Sequence, residues 1–336
     1  MKAGRKNNFT TSNIYFMCVV LLLSFTQNLF AQPYSMVRYV RVDHAAHTAY
    51  IYDEQFNKLQ DSPYIAGGSI EYLPEGKTLW YLGSAIDMIR RNNNGSIDIL
   101  SDNSNYTEMN HHFTFVYYTP NRTYENCNDN MPIASGSELT DFHMPAGYAY
   151  KMDGGFINTG AWHWSNPANI DTAEEIYLRF VFELDDNPAG YKDTNVSWID
   201  TVPCQSDFSI PHGKFTSNGP DYKIANKRRI VGVLPHIHDH SKSLELRRNG
   251  EKIRKFKPDN ANIYVAHDDV GDGAVPLHTS DEHLPTEGLS AWTPGINGPI
   301  VSAGDLLNIR AKFNNPHQQS IDNMAIMFVY WEDLSQ

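Results

Sequence analysis

The feature that most constrains the fold is the grouping of β-branched and aromatic residues into short runs separated by Gly, Pro, Asn and Asp. Such runs suit a pleated, partly buried backbone, and the residues between them suit turns. Val37 to Val42, His112 to Tyr118, Ile176 to Phe182, Ile230 to Leu234, Leu306 to Phe313 and Ala325 to Trp331 are the clearest. Helical periodicity is nearly absent, with Leu82 to Arg91 alone reading as a short helical turn. The asparagine-rich stretch from Asn92 to Asn105 reads as a long exposed loop. The pattern predicts an all-β chain built of antiparallel sandwiches or jelly rolls.

At 336 residues the chain can form two domains, each burying its own core. The turn-rich stretch Asp185-Asp186-Asn187-Pro188-Ala189-Gly190 follows a clear strand and predicts a boundary there, giving units 32–187 and 188–336. Residues 1–31 read differently. Lys2, Arg5 and Lys6 precede the apolar run Ile14 to Phe25, and Leu29-Phe30-Ala31 places a small residue at an expected cut. This predicts a signal peptide and a secreted or periplasmic protein. The apolar run is short for a bilayer and no later segment is long enough, so no membrane span is expected.

Three cysteines occur, and Cys18 lies within the leader. Cys127 and Cys204 then form an even pair in an exported chain, which predicts a disulfide between them; two buried thiols are the alternative. The formal net charge of −12 argues against nucleic acid or an anionic membrane as partner.

The residues that carry chemistry are histidines in an ordered series: His111-His112, then His163 in Trp162-His163-Trp164, then His236 and His238 in Pro235-His236-Ile237-His238, followed late by Met324. Alternate residues on a strand point to one face, so His236 and His238 can meet one ion. Adjacent residues point to opposite faces, so His111 and His112 can share an ion only where the backbone twists or turns. A thioether joining two imidazoles favours a site that holds Cu(I), because sulfur is a soft donor. Two coppers in two domains follow as an expectation. Each group also has an ordinary reading: strand-entry histidines, an interior imidazole bonded to a carbonyl, a methionine that fills core. His143 is a reserve for His163, and His240 competes with His236 through the pair His238 and His240.

Taken in order and with its flanks, the series resembles the copper type II, ascorbate-dependent monooxygenases, typified by the peptidylglycine alpha-hydroxylating and dopamine beta-monooxygenases. Asn110-His111-His112-Phe113, Trp162-His163-Trp164-Ser165-Asn166-Pro167, Pro235-His236-Ile237-His238 and Asp322-Asn323-Met324 carry the resemblance. Met144-Pro145-Ala146-Gly147, Met152-Asp153-Gly154-Gly155 and Gly304-Asp305-Leu306-Leu307 are similar to the family's connecting segments, and Lys242-Ser243 to exported bacterial members. The resemblance covers most of residues 105 to 331. It implies two tandem antiparallel jelly-roll-like sandwiches, with an electron-transferring copper on His111, His112 and His163. The second copper, on His236, His238 and Met324, would be the catalytic one. The reaction implied is hydroxylation of a C–H bond with O2 and ascorbate or another one-electron donor.

Peptide-hydroxylating members hold the substrate carboxylate with an arginine two residues before the HxH and with an Asn and a Tyr after the Met. Here those positions are Leu234, Ile326 and Phe328. A pocket lined by these three gives an anion no partner, and burying one there is costly. The expected substrate is therefore a carboxylate-free small molecule or peptide-like compound. Two other classes fit the same residues: a non-catalytic copper-binding protein, and a copper-free jelly-roll hydrolase or carbohydrate-directed protein.

Overall fold

A computed structural model describes residues 33–43, 48–63, 69–99, 110–118, 133–136, 142–164, 176–187, 189–202, 207–238, 240–258 and 289–334. In its first half the strands are β1 (Tyr34–Asp43), β2 (Thr48–Tyr52), β3 (Lys58–Pro63), β4 (Ser69–Arg91), β5 (Ile97–Ile99), β6 (Asn110–Tyr118), β7 (Ile133–Gly136), β8 (Phe142–His143), β9 (Tyr148–Trp164), β10 (Ile176–Asp185) and β11 (Lys192–Asp193). They form one sheet in the order β3-β2-β1-β10-β4-β9-β6-β7, with β5 and β8 added to β4 and β11 to β9. β10 shows why the pattern folds this way. Its alternate residues Ile176, Leu178, Phe180, Phe182 and Leu184 are all core, while Arg179 between them bonds Asp87 of β4 through Nε at 2.9 Å.

The second half carries β12 (Asn195–Asp200), β13 (Asp207–Ile210), β14 (Gly213–Asn218), β15 (Tyr222–Lys223), β16 (Arg228–Ile237), β17 (Ser241–Arg248), β18 (Glu251–Phe256), β19 (Ile300–Val301), β20 (Leu306–Asn315) and β21 (Ile321–Asp333). One sheet runs β12-β21-β16-β19 with β13 on β21, and the other β14-β20-β17-β18 with β15 on β20. Their facing sides share a core that includes Ile230, Val233, Met327 and Val329 from the first, and Leu244, Leu246, Ile309 and Phe313 from the second. The chain is thus all-β and its second half is an antiparallel sandwich.

β21 is buried on both faces, which explains its unbroken apolar run. Ala325, Met327, Val329 and Trp331 point into the sandwich, whereas Met324, Ile326, Phe328 and Tyr330 pack with Phe142, Tyr148, Tyr150 and Met152 of the first sheet. Two-sided burial removes the polar alternation of a half-exposed strand. Tyr330 stacks on Phe142 with ring centroids 4.5 Å apart. A polar clasp closes the same seam: Tyr148 donates to Glu332 at 2.8 Å, Lys192 at 2.6 Å, and Arg229 also bonds that carboxylate. Burial opposes ionisation of Glu332, but the hydrogen bonds from Lys192, Tyr148 and Arg229 outweigh it and hold its pKa below the ordinary value.

Two expectations are corrected. Leu82 to Arg91 is not helical but belongs to β4, paired with β10 from Tyr177↔Ile89 to Leu184↔Tyr81. Long-range ladder bonds and burial of Ile86 and Ile89 override a weak local preference. The asparagine-rich stretch also holds a strand, because β5 folds back on β4 with Ile99 opposite Ile89. Gly95 makes the intervening turn possible with φ +83°, a conformation costly for residues with a Cβ. Sheet membership changes at Thr194, between β11 and β12, just beyond the turn-rich stretch 185–190.

Candidate metal centres

The first histidine set is brought together by backbone pairing. β6 and β9 are antiparallel neighbours, and His112 is the cross-strand partner of His163. Asn110 pairs with Trp164, the residue next to His163, so the register shifts between Asn110 and His112 and leaves His111 as the extra residue. An irregularity of this kind interrupts the strict alternation of faces and re-aims side chains, and it recurs beside functional sites. It lies where two adjacent histidines require one to share an ion. His143 takes a different place: β8 pairs with β4, His143 opposite Gly83, and its Nδ1 lies 3.1 Å from Glu183 Oε2 on an exposed surface.

The second set sits on the central layer. His236 pairs with Ile326 across β16 and β21, and the His238 amide donates to the Met324 carbonyl at 3.3 Å. His236, His238 and Met324 therefore occupy one local patch. All three are buried, at 8%, 4% and 6% exposure, and the imidazole centroids are 5.2 Å apart with planes at 87°. Cross-strand partners share a face, and that face is the one turned toward the first sheet, where Met324 joins the core of the seam. Among the described residues no three His, Cys, Asp or Glu side chains form a metal cluster. A metal at this patch would be held by two imidazoles and a thioether, a donor set that fits copper in its reduced state.

His240 does not extend the row. Its φ of +62° turns the chain out of the strand, and its Nε2 lies 3.0 Å from Nε2 of His317. No spacing pattern in the sequence pointed to His317, because the loop that carries it meets His240 only in the folded chain. Leu234, Ile326 and Phe328 share the face of Met324 and are 4%, 2% and 2% exposed. They fill the seam, with Phe328 edge-on to Trp198 at 5.0 Å. A cavity of about 420 Å³ opens elsewhere, beside Ser197, Asp221, Tyr222, Arg228 and Trp331. Cys127, Cys204 and residues 1–31, expected to be a signal peptide, lie outside the described residues.

The sequence matches no protein-family model and no curated protein. Among solved structures it is similar to the major capsid protein P2 from bacteriophage PM2, at 14% identity and a TM-score of 0.30 over 82% of this chain and 95% of that one. The insecticidal delta-endotoxin Cry8Ea1 from Bacillus thuringiensis follows at 9% identity and a TM-score of 0.25, over 93% and 55%. Dimeric latent PorU from Porphyromonas gingivalis reaches 12% and 0.22, over 77% and 24%. Likenesses this distant say nothing of activity, and the all-β class rests on the strands of this chain. Among the described residues no helix is long and apolar enough to cross a membrane.

Proposed function

We propose that this chain is an exported copper monooxygenase that hydroxylates a C–H bond of a carboxylate-free substrate with O2 and ascorbate or another one-electron donor. The observation that carries the reading is the patch of His236, His238 and Met324, donors far apart in sequence that share one buried face. His111, His112 and His163, which adjoin through β6 and β9, would hold the other copper. Copper, when bound, supplies one-electron redox chemistry and the reduction of O2, which no side chain can supply.

The chain's own residues set the surroundings. Leu234, Ile326 and Phe328 keep water from the second patch and offer a carboxylate no hydrogen bond or charge. Met324 would supply a soft donor beside two imidazoles whose planes stand at 87°. β9 runs from the seam, where it places Tyr148 and Met152, to His163 near its other end.

A second reading draws on the packing of the seam. Leu234, Ile326 and Phe328 are tightly buried side chains, which suits a copper carrier with no substrate pocket. Oxygen uptake by the copper-loaded protein with ascorbate separates the two. Uptake that rises with an apolar aromatic or aliphatic compound, and is lost in His236→Ala, supports the monooxygenase. Tight copper binding with no compound raising uptake supports the carrier and overturns the proposal.

A further inference from the structure

We infer that His240 and His317 form a separate, solvent-accessible site for a divalent transition metal, Cu(II) or Ni(II), on the rim of the second sandwich. Their Nε2 atoms are 3.0 Å apart, the ring centroids 4.9 Å apart and the planes tilted by 58°. Both Nε2 atoms are thus close enough to reach one ion.

Magnitude selects the metal. With metal–imidazole bonds of about 2.0–2.1 Å, nitrogens 3.0 Å apart subtend roughly 90–100° at the ion. That angle suits cis positions of a tetragonal ion and is tight for a tetrahedral one. Cu(II) and Ni(II) take such geometry with imidazole donors, and Cu(II) binds the more strongly of the two. Water would complete the shell on the open side.

The backbone at both positions is held by built features. His240 sits at φ +62°, unusual for a residue with a Cβ and most often retained where the surroundings determine it. Its carbonyl accepts from Asn314 at 2.8 Å. The His317 amide donates to Asn315 Oδ1 at 2.8 Å, while the buried Asn315 side chain donates to the carbonyls of Ile210 and Gln319. His212 Nδ1 donates to the His317 carbonyl at 2.7 Å, which further anchors the backbone at His317.

The test is equilibrium dialysis of the full chain against Cu(II), repeated with Ni(II), on wild type, His317→Ala, His240→Asn and His236→Ala. Asn tolerates the left-handed backbone of position 240, and His317 is exposed, so folding is not at stake. The wild type should bind one Cu(II) that both rim variants lose or hold more weakly by at least about tenfold, the floor set by loss of even an outer-shell partner. His236→Ala should keep that ion, so failure of the buried patch and failure of the rim site are told apart. Equal metal number and affinity in wild type, His317→Ala and His240→Asn would overturn the inference, leaving an N–H···N hydrogen bond between the two rings.

Discussion

His112 is the direct cross-strand partner of His163 on β6 and β9, with the register shift falling at His111. If those three residues hold one copper, His163→Ala removes one ion per chain and leaves the ion at His236, His238 and Met324 in place. Metal analysis after dialysis of both proteins reads this directly. An unchanged copper content in the variant sinks the assignment.

Glu332 ties the seam together through Tyr148, Lys192 and Arg229. Glu332→Gln should lower stability to denaturant by about 1.5–3 kcal/mol, the range for hydrogen bonds to a charged group. The sign of the pH dependence follows from the depressed pKa. Stabilisation by Glu332 is complete above the ordinary value of 4.5 and is lost as pH falls through the lowered one. The gap between wild type and variant should therefore be constant above that value and shrink below it; a gap that widens in acid contradicts the role.

Phe328 is 2% exposed and lies edge-on to Trp198. Phe328→Ala should cost about 3–5 kcal/mol, the usual range for removing a buried aromatic ring. Denaturant unfolding monitored by tryptophan fluorescence measures it. A loss under about 1 kcal/mol would show the seam to be loosely packed and open to a substrate.

Glycine-extended peptides should not sustain oxygen uptake by the copper-loaded chain, because Leu234, Ile326 and Phe328 give their carboxylate no partner. Efficient peptide hydroxylation would overturn the expected substrate class. Labelling of Cys127 or Cys204 by a thiol reagent before reduction would likewise count against the disulfide expected between them.

The strands were legible because their apolar residues recur at the period of a pleated backbone. The runs from Val37, His112, Ile176, Ile230, Leu306 and Ala325 fall in β1, β6, β10, β16, β20 and β21. Leu82 to Arg91 misled because a short segment carries little periodic information, and its pairing partners lie far away in sequence. The spacing of His236 and His238 places both on one strand face, but nothing local shows that this face meets the first sheet rather than the sandwich core. His317 was illegible for the same reason: its relation to His240 is made by two loops that only the folded sheets bring side by side. The Glu332 clasp joins residues from β9, β11, β16 and β21, a relation that no local pattern encodes.

The central claim is that Met324 joins His236 and His238 in holding copper, and X-ray absorption at the copper edge of the ascorbate-reduced, copper-loaded protein tests it most directly. The wild type should show a sulfur neighbour to copper that disappears in Met324→Leu, a substitution of similar volume that should cost under about 1.5 kcal/mol of stability. A wild-type spectrum with nitrogen and oxygen neighbours alone, identical to that of the variant, would contradict it.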